Sequence, residues 1–298
     1  MEPRREVPAK PRKIRVVCVS DTHNHAPGEG FTLPKGDILI HAGDLTNQGS
    51  RAELEKAARW LEKADFEAKV AVAGNHDLSL DRNYKLKHQE GWKVTAEAVE
   101  ECRTLMRSIP GVTYLEHSSA TVNLPGRGVS IHVFGSPYSV ESLRQNWAFQ
   151  YASKDGDAIW SEIPAVDILI SHTPPQGHVD TSRHWTEGGC ASLKQALRRI
   201  RPALHVCGHC HEGRGAEVIC WSDRSEEADG VTVWEDPGAG NKKQSLLDLT
   251  HIDPTIRPSA ATAVVNASIM AKSWGQGSKA FNKPIVVDLA LPAYGAGS

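Results

Sequence analysis

Two histidines separated by one residue follow an apolar run late in the chain. The segment 205–213 reads His-Val-Cys-Gly-His-Cys-His-Glu-Gly, so that His209 and His211 come directly after Gly208. A buried strand that ends in this way delivers imidazole side chains to one point, and imidazole is a common ligand of divalent metal ions. The segment therefore predicts a metal site at the carboxyl end of a strand.

Four earlier segments repeat this pattern. In each, a short apolar run ends in a side chain that can bind a metal ion: Asp21-Thr22-His23, Gly43-Asp44, Gly74-Asn75-His76-Asp77 and His172. A single histidine after a strand is more often an ordinary hydrogen-bonded residue than a ligand. Five segments that share one pattern reinforce one another and favour a common metal centre. Their glycines, Gly43, Gly74 and Gly208, would let the backbone approach a small, crowded site.

The donors in these segments are carboxylate, amide and imidazole groups. Sets of this kind, without a thiolate, suit Mn, Fe or Zn, and the residue types do not choose among the three. Cys207 and Cys210 form a Cys-x-x-Cys, which by itself would suggest zinc or redox chemistry. Because no second cysteine pair completes a tetrahedral site, we discount these two thiols as ligands.

In their order along the chain, the five segments resemble the signature of the calcineurin-like metallophosphoesterase family, and the match runs from Val16 to His211. Within that family, the segment 171–177 and the late segments 265–268 and 284–289 are similar to the metallophosphoesterase-domain-containing subgroup first noticed in animal brain. The resemblance implies an α/β fold, a four-layer α/β/β/α sandwich of two mixed sheets flanked by helices.

The resemblance also implies a role for each site residue. Two divalent metal ions would be bound, and a hydroxide that bridges them would attack phosphorus. The first ion would take Asp21, His23 and His211, the second would take Asn75, His172 and His209, and Asp44 would bridge the two. His76 would then protonate the leaving oxygen.

One part of the signature departs from a branch of the family. Protein Ser/Thr phosphatases continue the Gly-Asp motif with an acid and an arginine, whereas this chain has Asn47 and Gln48 after Asp44-Leu45-Thr46. Protein phosphatase activity is therefore disfavoured. Arg214, which follows the last ligand, is the candidate to bind the substrate phosphate instead, and the alternative is a solvated surface arginine.

The elements that must carry these residues alternate along the chain. Strands at 14–20, 37–41 and 70–73, with a helix from a capping box at Ser50 to Lys63, predict a largely parallel sheet. Three short strands at 113–115, 121–124 and 129–134 have a hairpin-like spacing and predict a second, partly antiparallel sheet. Further predicted elements are helices at 95–108 and 192–200, strands at 167–171, 204–207, 217–221, 231–234, 261–268 and 285–288, and loops at 81–91, 238–241 and 275–278.

Four aromatic residues are clustered in the sequence between the predicted strands 129–134 and 167–171. Trp147, Phe149, Tyr151 and Trp160 are dense in a chain that is only 6% aromatic. One interpretation is a small core beneath a long loop. The other is a wall on which a nucleobase stacks.

Composition limits the partners. The chain has 298 residues, of which 40% are hydrophobic and 23% charged, and its net charge is −2, so no overall positive field attracts a polymeric nucleic acid. No run of ~18 apolar residues is present to span a membrane. The six cysteines lack the spacing of a disulfide scaffold, which favours a reducing compartment, the cytoplasm or the nucleus. We expect a flexible basic tail over residues 1–13 and a single domain over 14–298.

These observations favour a metal-dependent phosphodiesterase that hydrolyses a small nucleotide. A cyclic nucleotide is the preferred case, because the Gly-Asn-His-Asp form resembles that of bacterial-type cyclic phosphodiesterases. One alternative is a metallo-nuclease acting on DNA or RNA, which the acidic net charge argues against. The other is a low-activity, nucleotide-binding scaffold protein, which would have no need of both a full ligand set and His76.

Overall fold

The structure, a computed structural model, describes residues 11–84, 95–141, 146–183, 188–222, 229–252, 259–272 and 280–293. Its α-helices are α1 Arg51–Lys63, α2 Ala96–Arg107, α3 Gly156–Trp160 and α4 Ala191–Ile200. Its strands are β1 Arg12–Val19, β2 Ile38–Ala42, β3 Ala68–Val72, β4 Val112–Leu115, β5 Ser118–Leu124, β6 Val129–Ser136, β7 Ser139–Val140, β8 Gln150–Tyr151, β9 Ile168–Ser171, β10 Leu204–Cys207, β11 Gly215–Cys220, β12 Gly230–Val233, β13 Ser245–Asp248, β14 Ala261–Asn266 and β15 Ile285–Leu291.

The first sheet has six strands in the order β13-β15-β1-β2-β3-β4. Strands β1 to β4 are parallel, and β15 is antiparallel to β1. The parallel arrangement of the first three strands is confirmed. Strand β4, however, was wrongly predicted for the second sheet. Helix α2 is a crossover that returns the chain parallel to β3, and Thr113 pairs with Val70.

The second sheet has seven strands in the order β12-β11-β14-β10-β9-β6-β5. Strands β5 and β6 form an antiparallel pair, whereas β6, β9, β10 and β14 are parallel to one another. The expected mixed sheet is therefore confirmed. A third, two-stranded sheet pairs β7 with β8.

The two large sheets pack face to face with helices outside them. One core cluster joins inward side chains of both sheets, such as Val16 of β1 and Val133 of β6. Helices α1 and α2 cover the outer face of the first sheet, and α3 and α4 cover that of the second. The four-layer α/β/β/α architecture is thus confirmed, while the single-domain assignment remains a prediction.

Helix α1 shows how local sequence fixes one of these layers. The Ser50 hydroxyl accepts a hydrogen bond from the Glu53 backbone N–H, and the Glu53 carboxylate accepts one from the Ser50 N–H, which is the predicted capping box. Leu54 and Leu61, on the apolar face of the helix, are fully buried. The helix therefore begins and ends where the sequence indicated.

The first strand begins inside the predicted amino-terminal tail. Arg12 and Lys13 belong to β1 and not to a tail, because both pair with residues of β15. The remainder of the predicted tail, most of the loop at 81–91 and the loop at 275–278 lie outside the described residues. All six cysteines are described and are free thiols. In the described part of the chain, no helix is both long enough and apolar enough to cross a membrane.

Candidate metal centre

The two large sheets meet at the edge where their parallel strands end. The Ser20 N–H donates to the Ala267 carbonyl at 2.9 Å, and the Ile269 N–H donates to the Ser20 carbonyl at 2.8 Å. These main-chain bonds join the end of β1 to the end of β14. The loops after β1, β2, β3, β9 and β10 therefore face one another, and they carry the predicted site residues.

Several site residues turn the chain sharply as each strand ends. Asp21, His23, Asp44 and His209 have φ angles of 51°, 41°, 53° and 65°. Asp and His tolerate this left-handed region better than most residues, at a cost on the order of 1–3 kcal/mol each. The turns direct these side chains toward one another at the ends of the strands.

The first group of side chains comprises Asp21, His23 and His211. The Nε2 atoms of His23 and His211 are 3.2 Å apart, and Asp21 Oδ1 lies 3.3 Å from His211 Nε2. Two nitrogens that each lie about 2.0–2.1 Å from one ion in tetrahedral geometry are roughly 3.3 Å apart. The spacing therefore fits a shared cation.

The second group is built around His172. Its Nε2 lies 2.9 Å from Asn75 Oδ1 and 3.4 Å from Asp44 Oδ2. The His209 ring lies edge-on to the His172 ring at a centroid distance of 4.9 Å. Asp44 Oδ2 is also 3.8 Å from His23 Nε2, so this carboxylate lies between the two groups.

Main-chain carbonyls fix the orientation of two imidazoles. His23 Nδ1 is 3.2 Å from the Thr46 carbonyl, and His172 Nδ1 is 3.0 Å from the Ala42 carbonyl. Because a carbonyl can only accept, each Nδ1 carries the proton and each Nε2 faces the site. This is the arrangement that metal-binding histidines require.

The charges in the site draw protons onto some histidines and away from others. Burial disfavours charge on His172, but the carboxylates of Asp44 and Asp21 and the hydrogen bond to the Ala42 carbonyl together raise the His172 pKa to about 9. Despite burial, the Asp21 carboxylate also raises the pKa of His211. Burial, together with neighbouring imidazoles, lowers the pKa of His23 and of His209 to about 3. The carboxylates of Asp44 and Asp21 are thus the charges that a bound cation would neutralise.

The three predicted glycines are positions of close approach. A Cβ atom at Gly43 would overlap the His172 ring, one at Gly74 would overlap the Asp44 carboxylate, and one at Gly208 would overlap the Ser20 hydroxyl and Asp21. Any side chain at these positions would push a site residue aside.

Asp77 is a site residue to which the sequence reasoning gave no role. Its buried carboxylate accepts hydrogen bonds from the Leu45 N–H, the Thr46 N–H and hydroxyl, and the Gly74 N–H, at 2.7–3.2 Å. It thus ties the loop after β2, which carries Asp44, to the loop after β3, which carries Asn75. The sequence could have identified Asp77 through its position in the Gly-Asn-His-Asp motif.

Asn266 and Ser268, at the end of strand β14, support the ligand loops through hydrogen bonds. The Ser268 hydroxyl donates to Asp21 Oδ2 at 2.8 Å, and the Asn266 amide donates to the Cys210 carbonyl at 2.8 Å. Both side chains are fully buried, so that the Asn-Ala-Ser sequon presents no accessible amide for glycosylation. They support the ligand loops from the adjacent strand β14.

His76 lies beside the two groups and contacts an aromatic residue. Its backbone N–H donates to Asp44 Oδ1 at 2.8 Å, and its Nδ1 lies 2.7 Å from the Asn47 carbonyl. The half-buried Trp147 ring lies over it, with centroids 4.1 Å apart and planes inclined by 32°. His76 is also close enough to His23 and Asp44 to be a candidate ligand as well as an acid.

The other residues of the aromatic segment are core residues. Phe149 packs in the cluster outside the first sheet, and Tyr151 and Trp160 pack in the cluster outside the second. The Trp160 indole N–H donates to the Tyr151 hydroxyl at 2.8 Å. The core interpretation is therefore confirmed for these three, and only Trp147 reaches the site.

The Arg214 guanidinium contacts residues that are not among the proposed ligands. Its guanidinium lies 2.7 Å from Asp236 Oδ2 and donates to the Ser245 hydroxyl and the Lys283 carbonyl. Ser245 and Lys283 line a cleft of about 740 Å³, whose lining residues include three lysines and no acid. Direct binding of phosphate by Arg214 remains a prediction.

The donor chemistry fits divalent cations. Among the described residues, the candidate clusters are Asp21 with His23 and His211, His23 with Asp44 and His76, and Asp21 with Asp44 and His172. Carboxylate oxygens and oriented Nε2 atoms are ligands that Mn, Fe and Zn accept. Cys207 and Cys210 appear in none of these clusters.

Known proteins share sequence similarity with most of this chain. The sequence model of a family described as calcineurin-like phosphoesterase matches residues 14–213, more than half of the chain. Metallophosphoesterase domain-containing protein 1 of Homo sapiens is 32% identical over 301 residues, which cover 96% of this chain and 74% of the human protein. A UPF0046 protein of Caenorhabditis elegans is 35% identical over 205 residues, 68% of this chain and 65% of its own length.

A fungal relative matches over a shorter part of its length. Probable rhamnogalacturonate lyase C of Emericella nidulans is 44% identical over 228 residues, 74% of this chain. The match spans only 20% of the fungal protein.

Proposed function

Because the chain belongs to the calcineurin-like phosphoesterase family, we propose that it is a metal-dependent phosphodiesterase that hydrolyses a small nucleotide, with cyclic nucleotides as the preferred case. The observation that carries this proposal is the position of Asp44. Its Oδ2 lies 3.4 Å from His172 and 3.8 Å from His23, one member of each ligand group. A carboxylate shared between two groups of this kind is expected of a two-ion site.

The residues would divide between two ions as the family resemblance implies. Asp21, His23 and His211 would hold one ion, Asn75, His172 and His209 would hold the other, and Asp44 would bridge them. When bound, two divalent ions supply an activated water and neutralise charge on the phosphoryl oxygens. Asn75 is a neutral ligand, which leaves the site with only two carboxylates and a net positive charge toward an anionic substrate.

His76 would act on the leaving group. Its Nδ1 faces the Asn47 carbonyl at 2.7 Å, so its Nε2 is the nitrogen that meets the substrate. As water oxygen bonds to phosphorus, the bond from phosphorus to the leaving oxygen breaks, and that oxygen takes a proton from Nε2. The attacking water releases a proton to solvent, and solvent returns one to His76. The net reaction consumes one water and opens one ester bond.

A small substrate is favoured over a polymer by charge. The net charge of −2 provides no overall field for a polyanion. The basic cleft beside Arg214 lies at the same edge of the first sheet as the ligand loops, because Ser245 pairs with Ile285, and Ile285 pairs with Cys18 near the end of β1. We propose that Arg214 contributes to substrate binding by shaping this cleft.

The experiment is a substrate panel on the purified protein with added Mn. It should include cyclic nucleotides, bis(p-nitrophenyl) phosphate, p-nitrophenyl phosphate and oligonucleotides, with the Asp44→Asn variant as the control for contaminating activity. We expect turnover of the phosphodiesters that is absent in the variant. Turnover of oligonucleotides alone would favour a nuclease, and no turnover of any substrate would reject the enzyme proposal.

A further inference from the structure

Within the described part of the chain, the imidazole of His76 has few polar contacts. One hydrogen bond joins its Nδ1 to the Asn47 carbonyl at 2.7 Å. A ring with a single hydrogen bond can still swing about that bond, which would move Nε2 away from a leaving oxygen. Contacts with neighbouring rings can supply further restraint.

Two rings of the described residues contact this imidazole. The His23 ring meets it edge-on, with centroids 4.7 Å apart and planes at 89°. The Trp147 ring lies much closer to parallel, at 4.1 Å and 32°. An indole that covers an imidazole at this distance opposes rotation of the smaller ring out of its plane.

Trp147 is itself held on the His76 loop. The N–H of Ala148 donates to the Asn75 carbonyl at 3.1 Å, and the Phe149 N–H donates to Asp81 Oδ2 at 2.8 Å. Ala148 and Phe149 are buried in the core outside the first sheet. The Tyr84 hydroxyl donates to the Asn146 carbonyl at 3.0 Å. The indole is therefore mounted on an anchored segment that bonds to the residue preceding His76.

We propose that Trp147 is a positioning residue for His76, which holds the imidazole so that Nε2 points at the leaving oxygen. This inference rests on the proposed role of His76 as the acid. It differs from a nucleobase wall, because the indole face is used by a protein side chain. Trp147 also packs against the core cluster outside the first sheet, which fixes one side of its ring.

The test compares variants on substrates that differ in their need for a proton. A nucleotide phosphodiester expels a ribose oxygen and needs protonation, whereas bis(p-nitrophenyl) phosphate expels a stable phenolate. Removing a general acid costs ~10²–10⁴-fold on the first kind. We expect Trp147→Leu to lower kcat on the nucleotide at least about tenfold and on the aryl diester less than about twofold, since partial misplacement loses part of that factor.

Matched variants separate positioning from loss of structure. Trp147→Phe keeps a flat face and should restore most of the nucleotide activity. Trp221→Leu changes another half-buried tryptophan, whose indole donates to Thr262 at the opposite edge of the second sheet, and should leave both activities unchanged. The His76→Ala, Trp147→Leu double variant should lose no more nucleotide activity than His76→Ala alone.

Metal content and thermal unfolding are measured for every variant. Equal losses of Trp147→Leu on both substrates, or no rescue by Trp147→Phe, would overturn the positioning role. A raised KM for the nucleotide at unchanged kcat would overturn it in favour of base stacking. If His76→Ala itself shows no dependence on the leaving group, the acid assignment in the proposed function has failed, and the inference fails with it.

Discussion

Asp44 offers the most direct test of the site at the residue scale. Asp44→Asn removes charge from the only carboxylate that reaches His172 and His23 together among the contacts described above. We expect metal content to fall from about two ions per chain, with turnover reduced by at least the 10–100-fold typical of a perturbed ligand shell. Metal analysis and turnover are measured on the same sample.

The matched control is Asp248→Asn, an aspartate at the opposite end of β13 that accepts hydrogen bonds from Thr250. It should keep full metal content and activity. Two ions and near-full turnover in Asp44→Asn would show that Asp44 does not bridge.

His76 and His172 should differ in how their loss depends on the leaving group. His76→Ala should leave the metal content unchanged and spare an aryl phosphodiester, while it lowers nucleotide hydrolysis ~10²–10⁴-fold. His172→Ala should damage both substrates alike, because it weakens a cation that polarises the phosphoryl group. Parallel kinetics on the two substrates measure the difference. Equal losses for His76→Ala on both would mean that it stabilises phosphoryl charge and is not the acid.

At this scale the sequence was informative about donors and silent about their supports. The strand-end pattern indicated one shared edge for these side chains, because parallel strands end at the same edge of a sheet. The family resemblance supplied the grouping of Asp21, His23 and His211, and their side chains lie close together in the structure. Nothing local could show that Ser268 bonds to Asp21, since 247 residues separate them. The Asn47 carbonyl that bonds to His76 was also missed. Every residue carries such a carbonyl, so the residue type does not indicate its role.

Asp77 tests the coupling of two elements, the loops after β2 and β3. In Asp77→Asn the amide nitrogen would face N–H donors of Leu45 or Thr46, so that at least one hydrogen bond is replaced by a repulsive contact. We expect a loss of about 1.5–3 kcal/mol in the free energy of unfolding and a displaced Asp44. Chemical denaturation and metal titration are the measurements, with Asp248→Asn again as control. Unchanged stability and metal affinity would show that the two loops are independent.

Elements with complete local signals were predicted well. Helix α1 carries its own capping box and apolar face, so its bounds needed no tertiary information. Strand β4 was assigned to the wrong sheet, because its place depends on the crossover through α2. The short edge strand Ser245–Asp248 was not predicted, because its sequence has no distinctive pattern. Pairing partners are a property of the assembled sheets, which short-range periodicity does not contain.

The whole molecule should respond to metal and pH together, because the ligands come from both sheets. A bound ion stabilises the folded state by about 2.7 kcal/mol when its concentration is 100 times Kd. Below pH 9, the raised pKa of His172 means that a proton must leave before the ion binds. Each proton displaced weakens binding by about 1.4 kcal/mol per pH unit of acidification.

We therefore expect the Mn-dependent rise in Tm to increase from pH 6 to pH 9. Thermal unfolding with Mn and with EDTA at each pH separates the stabilisation by Mn from the effect of pH on the stability of the metal-free protein. A rise in Tm that is independent of pH would contradict the proton competition. A rise that persists in Asp44→Asn would place the stabilising ion elsewhere.

The position of β15 beside β1 affects the order in which the sheet can assemble during synthesis. Arg15 in β1 bonds to Asp288 in β15, 273 residues later, and β15 separates β1 from β13 in the finished sheet. A ribosome that adds roughly 5–20 residues per second needs on the order of tens of seconds to cover that interval. During that period β1 waits without its antiparallel neighbour, and Asp21, His23, Asp44 and Asn75 are already made while His172, His209 and His211 are not. A centre that draws on all seven of these side chains is therefore complete only after the two halves of the chain have met.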